Sequence, residues 1–274
     1  MADQPTIKLN TGAAMPQLGF GVFRVPPADA GEVVTRALAA GYRSIDTAAM
    51  YDNESGVGVA LRTADIPRDE LFVATKLNNN AHGTDAARRA FDASLQRLGL
   101  DYVDLYLIHW PLPRQDRYVE TWRTLTEIAK DGRARAVGVS NFQVPHLQRL
   151  LDETGVVPAV NQIELHPYLT QDALRAFHGE HGIVTEAWSP IAKGNILDDG
   201  AVTAIAEKYG RTPAQVVLRW HLQLGNVAIP KSVRRARMDE NFDVFGFELA
   251  PDDMDAITAL DHGERTGPDP DTFG

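Results

Sequence analysis

Eight short apolar stretches alternate with amphipathic stretches along most of this sequence. The apolar stretches lie near residues 18, 43, 71, 103, 134, 159, 182 and 226. Strands that alternate with helices predict an α/β fold with a parallel sheet, and eight such units in about 250 residues predict a closed (β/α)8 TIM barrel. We expect residues 1–274 to form one domain, with an N-terminal β-hairpin before the barrel and extra C-terminal helices after it.

An open, doubly wound sheet is the competing architecture. Such a sheet usually carries the motif G-x-G-x-x-G after its first strand, where it binds a nucleotide. The sequence lacks this motif, which favours the barrel. Local signals also predict helix boundaries: we expect Thr84 to cap a helix over 84–98, and Thr212 with Pro213 to begin another.

Composition excludes several classes of protein. A net charge of −10 argues against a general attraction to nucleic acid or anionic membranes. The absence of cysteine excludes disulfides, thiolate catalysis and cysteine-based zinc sites. No apolar stretch reaches the ~18 residues of a membrane span, and the segment MADQPTIKLN lacks the apolar core of a signal peptide. We therefore expect a cytoplasmic protein.

Most of the predicted strands end on polar or aromatic residues. These residues are Asp46, Lys76, His109, Ser140, Asn141, Gln162, Trp188, Ser189 and Lys231. In a parallel barrel the strand ends open onto one face, where enzymes of this fold place their active sites. Loops are polar in any protein, so one or two polar ends would mean little. Several strand ends that carry chemically reactive or hydrogen-bonding side chains favour a functional site.

Four residues near these ends could act together as acid–base groups. The segment DTAAMYDNE (46–54) puts Asp46 and Tyr51 on one turn, while Lys76 and His109 end later strands. Asp46 could pair with Lys76, whose charge would lower the pKa of the Tyr51 phenol and make it a better acid near neutrality. His109 could orient a carbonyl oxygen. Each residue alone also has a purely structural explanation, so the interpretation depends on whether the four meet.

Several segments resemble motifs of the aldo-keto reductase family. DTAAMYDNE resembles D-[ST]-A-x-x-Y-x-N-E, and IPKSVRRARMDEN (229–241) resembles the cofactor motif I-P-K-S-x-x-x-x-R-x-x-E-N. Further similar segments are LGFGVF, LYLIHWP, GVSNF, NQIELHPY and EAWSP. The resemblance runs from about residue 5 onwards in the expected order. It is greatest to bacterial members similar to 2,5-diketo-D-gluconate reductase.

The resemblance implies a reductase that binds NADPH without a Rossmann fold. Its catalytic residues would be Asp46, Tyr51, Lys76 and His109, with Tyr51 as the proton donor. Its cofactor contacts would be Gly21, Val22, Ser140, Asn141, Gln162, Trp188, Ser189, Ile191, Lys231, Ser232, Val233, Arg237, Glu240 and Asn241. Trp188 would stack on the nicotinamide ring, and Ser140, Asn141 and Gln162 would bind its carboxamide.

The basic stretch after the last predicted strand would hold the adenosine 2′-phosphate. The resemblance implies Lys231, Ser232 and Arg237 for this task. We expect Ser232 to begin a helix whose N–H groups point at the anion, and Arg237 to form bidentate hydrogen bonds with the phosphate oxygens. Because this is the chief basic cluster of an acidic protein, we favour NADPH over NADH. A solvated basic helix face is the alternative.

Phe23 and Trp110 would line the substrate pocket together with Tyr51 and His109. Phe23 stands where many animal members have Trp. Ala192 stands where the family usually has Gly, in the loop over the cofactor diphosphate. A short segment from about residue 262, rich in Gly, Pro and Asp, suggests an open pocket and broad specificity.

We therefore expect NADPH-dependent reduction of aldehydes, dicarbonyls and keto-sugars by a monomer that uses no metal and binds neither nucleic acid nor membrane. A cofactor-binding regulatory protein with negligible turnover is the main alternative. An unrelated barrel lyase or metal hydrolase that uses Asp46 and His109 is another, but no H-E-x-x-H or similarly compact ligand spacing supports it.

Overall fold

Eight parallel strands form the main sheet of the protein, in a computed structural model that describes residues 4–274. In chain order they are β3 (Phe20–Gly21), β4 (Ser44–Asp46), β5 (Phe72–Leu77), β6 (Val103–Ile108), β7 (Ala134–Ser140), β8 (Val160–Glu164), β9 (Val184–Trp188) and β10 (Val227–Ala228). Each strand pairs with the next along the chain. The sheet also curls on itself, because Leu18 pairs in parallel with Ala228 and the Gly19 N–H donates to the Ala228 carbonyl at 2.9 Å. The predicted α/β fold is confirmed.

A two-stranded hairpin precedes this sheet. β1 (Thr6–Lys8) and β2 (Ala14–Pro16) pair antiparallel. The hairpin buries Leu9 and Met15 in a cluster with Phe72, Leu105 and Val227 from the strands. The curled sheet therefore has an apolar filling at the end nearest the hairpin.

Helices pack their apolar sides on the other face of the sheet. They are α1 (Ala30–Ala40), α2 (Glu54–Thr63), α3 (Thr84–Leu98), α4 (Tyr118–Lys130), α5 (Val144–Thr154), α6 (Asp172–His181), α7 (Gly200–Tyr209), α8 (Pro213–Gln223), α9 (Arg235–Phe242) and α10 (Pro251–Thr258). Within residues 4–274 no helix combines the length and apolarity needed to cross a membrane.

Two predicted helix starts have different outcomes. The hydroxyl of Thr212 accepts a hydrogen bond from the Gln215 N–H, so the predicted cap of α8 is confirmed. The predicted cap at Thr84 is wrong. Thr84 is already helical, its hydroxyl donates to Glu120 at 3.2 Å, and Gly83 occupies the cap position with φ of 103°. Glycine adopts this left-handed conformation at little cost.

Alternation along the strands brings polar side chains to the carboxyl end of the sheet. Residues two apart on a strand share a face, and on β5 this series is Phe72, Ala74 and Lys76. Phe72 and Ala74 belong to the apolar filling, whereas Lys76 lies beyond it at the carboxyl end. The same change from apolar to polar occurs on β8 between Val160 and Gln162. A buried polar layer therefore covers the apolar filling.

Candidate active site

A buried ion pair is at the centre of this polar layer. The Lys76 ammonium donates to the Asp46 carboxylate at 2.6 Å and to the Thr47 carbonyl at 2.9 Å. The side chain of Lys76 is 0% exposed. Burial lowers the pKa of Lys76, but the charge and hydrogen bond of Asp46 together with the nearby Tyr51 and Glu186 outweigh burial, and the pKa is raised overall. Lys76 is therefore a charged group held in a fixed place.

Tyr51 lies over this ion pair, on a single turn of 3₁₀-helix (Ala49–Tyr51) after β4. Its ring centre is 5.2 Å from the Lys76 nitrogen and 5.7 Å from the centre of the His109 ring. Phe23 packs on its other side at 5.1 Å. The structure thus brings together all four residues that the sequence suggested as acid–base groups. Their catalytic roles remain predictions.

The expected net shift of the Tyr51 pKa needs a correction, although the direction of the Lys76 effect is as expected. Burial raises the pKa of the Tyr51 phenol, and the nearby charge of Lys76 lowers it by less, so the pKa is above 10.0 rather than below it. The sequence indicated the cation but not the desolvation of the phenol. Tyr51 therefore carries its proton at neutral pH and has it available to donate.

His109 follows β6 and is neutral near pH 7. Burial and then the charge of Lys76 hold the pKa of its imidazole well below the usual 6.5. The Asn141 side chain donates to the His109 carbonyl at 2.9 Å, which fixes the backbone at this point. A neutral imidazole can offer an N–H to a carbonyl oxygen without competing as the acid.

The four residues expected to bind a nicotinamide are linked by hydrogen bonds beside this group. The Trp188 indole N–H donates to the Asn141 side-chain oxygen at 2.8 Å, and the Asn141 amide donates to the Ser140 hydroxyl at 3.1 Å. The Ser140 hydroxyl donates to the Gln162 carbonyl at 2.9 Å. These contacts fix the edge of the Trp188 ring and the position of the Asn141 amide side chain.

Left-handed backbone is concentrated at this edge of the sheet. Asn141 and Ser189 have φ of 65° and 50°, and Ala192 and Lys193 follow with 48° and 55°. Such conformations cost non-glycine residues about 1 kcal/mol or more each and are common at functional sites. Ala192 is buried in the core cluster, and Ile191 packs against that cluster. The Ala192 side chain is therefore accommodated in a backbone that glycine would adopt more readily.

Glu186 belongs to the site but was missed by the sequence analysis. Gln162 donates to Asp46 at 2.8 Å and to Glu186 at 2.7 Å, which joins Glu186 to the Lys76–Asp46 pair. Burial, followed by the charge of Asp46, raises the pKa of Glu186 to about 8. Its position two residues before Trp188, on the same face of β9, was an available signal.

The basic stretch after β10 has cations that lack carboxylate partners. Among residues 4–274, no carboxylate lies within 4.0 Å of Lys231, Arg234 or Arg237, whereas Arg235 pairs with Asp239 at 2.8 Å. Free cations on an acidic protein fit an anionic group such as a cofactor phosphate.

The predicted helix start at Ser232 is wrong, because α9 begins at Arg235. The Ser232 hydroxyl instead accepts from the Arg234 N–H at 3.1 Å in a local turn.

The other expected cofactor residues have varied environments. Val22 donates its N–H to the Asp46 carbonyl at 3.1 Å, and Gly21 donates to the Pro230 carbonyl at 3.2 Å. Val233 is exposed, and Asn241 is buried. The Glu240 carboxylate accepts from the Thr212 hydroxyl at 2.9 Å, which connects α9 to the start of α8.

The substrate side is more enclosed at Trp110 than the short C-terminal segment suggested. Phe23 is 52% exposed, but Trp110 is only 7% exposed because Phe273 packs on it with ring centres 4.4 Å apart. The Glu164 carboxylate accepts from the Thr266 N–H at 2.6 Å and anchors this segment. The expected open pocket is therefore limited to the side of Phe23.

The metal-hydrolase alternative gains no support. Within the part of the chain that the structure describes, no three His, Asp or Glu side chains are grouped so that they could hold a metal ion. Asp46 is instead bonded to Lys76 and Gln162.

The fold and the site together define an α/β enzyme with a buried group of ionisable side chains at the carboxyl ends of its parallel strands and a basic stretch beside it. The family model described as "Aldo/keto reductase family" matches residues 12–262. The chain therefore belongs to the aldo/keto reductase family, as the motifs predicted.

Named relatives and solved structures agree with this membership. An aldo-keto reductase of Mycolicibacterium smegmatis is 54% identical over 269 residues, which cover 98% of each chain. The methylglyoxal reductase DkgA of Escherichia coli is 52% identical over 276 residues, which cover 100% of each chain. A crystal structure of a Gox0644 mutant in complex with NADPH has a TM-score of 0.95 and 51% identity, with 99% of each chain covered.

Proposed function

We propose that this protein reduces the carbonyl group of small aldehydes, dicarbonyls and keto-sugars with NADPH. The observation that carries the proposal is the group of a protonated Tyr51, a charged Lys76 and a neutral His109 at one end of the sheet. Such a group supplies a proton to an oxygen that becomes alkoxide-like, which carbonyl reduction requires. Family membership and the NADPH-bound relative of similar structure support the same reaction.

Each residue of the group has a distinct task in this proposal. The His109 N–H holds the carbonyl oxygen of the substrate, and Tyr51 donates its proton to that oxygen. Lys76 then stabilises the phenolate of Tyr51 by its charge, while Asp46 keeps Lys76 charged and in place. The enzyme therefore holds charge ready at the point where it develops, which is a major source of rate enhancement.

The cofactor, when bound, supplies the hydride. Trp188 offers a ring face for the nicotinamide, with its edge fixed by Asn141. Ser140, Asn141 and Gln162 offer polar groups for the carboxamide, and Lys231 and Arg237 offer free positive charges for the 2′-phosphate. These charges favour NADPH over NADH, which has no 2′-phosphate.

The remaining expectations form part of the same proposal. We infer that the curled sheet is a closed (β/α)8 barrel, since Leu18, just before the first strand, pairs in parallel with Ala228 of the last strand, to which the Gly19 N–H also donates. We also infer one domain over residues 1–274, a monomer, and a cytoplasmic location in keeping with the absence of cysteine. Methylglyoxal is the first substrate to test, because relatives that are 53% and 52% identical in sequence are named methylglyoxal reductases.

The experiment compares the natural protein with Tyr51→Phe. NADPH consumption is followed by absorbance with methylglyoxal, phenylglyoxal and 2,5-diketo-D-gluconate, and NADH is run in parallel. We expect Tyr51→Phe to lower kcat by about 10²- to 10⁴-fold, the usual contribution of a general acid. Its affinity for NADPH should stay within about twofold by calorimetry, because only the acidic hydroxyl is lost. Full activity in Tyr51→Phe would refute the assigned role.

A further inference from the structure

The amide group of Gln162 lies between two buried carboxyl groups. Its nitrogen donates to Asp46 at 2.8 Å and to Glu186 at 2.7 Å. A side-chain amide nitrogen has two hydrogens, so both are used. Among residues 4–274 no group donates to the side-chain oxygen of Gln162. That oxygen is therefore the atom that remains available to a ligand.

Glu186 is placed for this contact by the register of the sheet. Gln162 on β8 pairs directly with Glu186 on β9, which puts their side chains on one face. Glu186 is 0% exposed, and its second oxygen has no partner in the described chain. A buried carboxyl group is costly unless it is well bonded. Its bond to Gln162 is the only side-chain hydrogen bond that it makes among residues 4–274.

The two carboxyl groups together select one orientation of the Gln162 amide. Rotation of the amide by half a turn would point its oxygen at the Asp46 carboxylate and would lose both hydrogen bonds that the amide nitrogen donates. Asp46 also accepts from Lys76, so it is held in place independently of Gln162. The Glu186 side chain has no second hydrogen-bond partner in the described chain, so its hydrogen bond with Gln162 is the one that joins it to the site.

We propose that Glu186 is a positioning residue for the cofactor. By accepting one hydrogen of the Gln162 amide, it keeps the Gln162 side-chain oxygen directed to the –NH₂ of the nicotinamide carboxamide. The proposal rests on the proposed function, because it requires a nicotinamide in this site. Glu186 does not touch the reacting atoms and takes no part in proton transfer.

The test compares Glu186→Leu with Glu186→Gln. Leu fills similar space but accepts no hydrogen bond, whereas Gln keeps an acceptor oxygen. Calorimetry measures the binding of NADP⁺ and of its 3-acetylpyridine analogue, in which a methyl group replaces the carboxamide –NH₂. We expect Glu186→Leu to bind NADP⁺ about five- to tenfold more weakly, as for one lost neutral hydrogen bond, and the analogue within about twofold of the natural protein. Glu186→Gln should bind both like the natural protein.

The outcomes separate this proposal from a merely structural role. Equal weakening for both cofactors in Glu186→Leu would overturn it, as would unchanged binding of NADP⁺. Circular dichroism checks the fold of each variant, and Glu186→Met replaces Glu186→Leu if the latter does not fold. If the natural protein binds neither cofactor, the proposed function itself fails. Binding in the natural protein with no selective loss in the variants refutes only the role of Glu186.

Discussion

Two cationic regions of this protein are built in opposite ways. Lys76 is buried, paired with Asp46 at 2.6 Å and bonded to a backbone carbonyl. Lys231, Arg234 and Arg237, in the stretch after β10, have no carboxylate within 4.0 Å among residues 4–274. The first region has its charge satisfied inside the protein, and the second has charges available to an external anion.

The difference follows from what each charge has to do. A buried cation needs a partner, because removal from water costs several kcal/mol. Once paired, it has little freedom to move and can act on a neighbouring phenol at a fixed distance. A cation that recognises a ligand is more useful when it stays exposed and unpaired, since it then loses less hydration and no internal partner on binding. The contrast predicts that substitutions in the two regions will affect different measurements.

The largest effect should come from Lys76→Met. The substitution leaves Asp46 buried without its cation and Tyr51 without the charge that stabilises phenolate. We expect kcat to fall by about 10³-fold and the free energy of unfolding to fall by about 3–5 kcal/mol. Steady-state kinetics and urea unfolding measure the two effects.

A matched control for this variant is Lys130→Met. Lys130 pairs with Glu127 at 2.7 Å on the surface, where it is 71% exposed. Exposed pairs contribute about 0–1 kcal/mol, so both activity and stability should change little. A similar loss of stability in both variants would show that burial does not distinguish the two ion pairs.

The exposed region is tested by Arg237→Ala. We expect NADPH binding to weaken by about 10- to 100-fold, because a charge-assisted contact to the 2′-phosphate is lost, while NADH binding and kcat stay nearly constant. Fluorescence titration with each cofactor measures the affinities. Arg235→Ala is the control, since Arg235 already pairs with Asp239. Equal weakening for NADPH and NADH would contradict the assignment of Arg237 to the 2′-phosphate.

The sequence predicted the order of the strands better than their ends. Alternation of apolar and amphipathic stretches indicated all eight units, yet the last strand, expected over 226–231, is only Val227–Ala228. Pro230 has no N–H to continue the ladder. The start of α9 was misplaced because the Ser232 hydroxyl bonds the backbone locally, as Ser often does in turns.

The same limit applies to the site. Asp46, Tyr51, Lys76 and His109 were found because each lies at or near a predicted strand end. Glu186 was missed because its contact depends on the register between two strands, which a single sequence does not fix. The sign of the Tyr51 pKa shift was also missed, since burial of the phenol is a property of the packed structure.

The buried region should also respond to pH through Glu186. Burial raises the pKa of this carboxyl group from 4.5 to about 8, so between those values the folded protein keeps a proton that the unfolded chain releases. The free energy of unfolding therefore loses this contribution as pH rises through that range. Glu186→Gln removes the titration while Asp46 and Lys76 remain. By urea unfolding, we expect the free energy of unfolding of the variant to rise by about 1–2 kcal/mol relative to the natural protein between about pH 6.5 and pH 8. A constant difference would argue against the raised pKa.

Ionic strength offers the smallest effect and separates the two regions without any substitution. Salt screens exposed charges strongly and buried pairs weakly. Raising the ionic strength from about 0.05 M to 0.5 M should weaken NADPH binding by about three- to tenfold, while kcat at saturating NADPH stays nearly constant. Arg237→Ala should show a shallower dependence, because one of the screened charges is missing. If the NADPH affinity of the natural protein and of the variant depended equally on ionic strength, Arg237 would not contact the phosphate. A parallel fall in kcat would mean that the Lys76–Asp46 pair is open to solvent during turnover, and the contrast between the two regions would then not hold in the working enzyme.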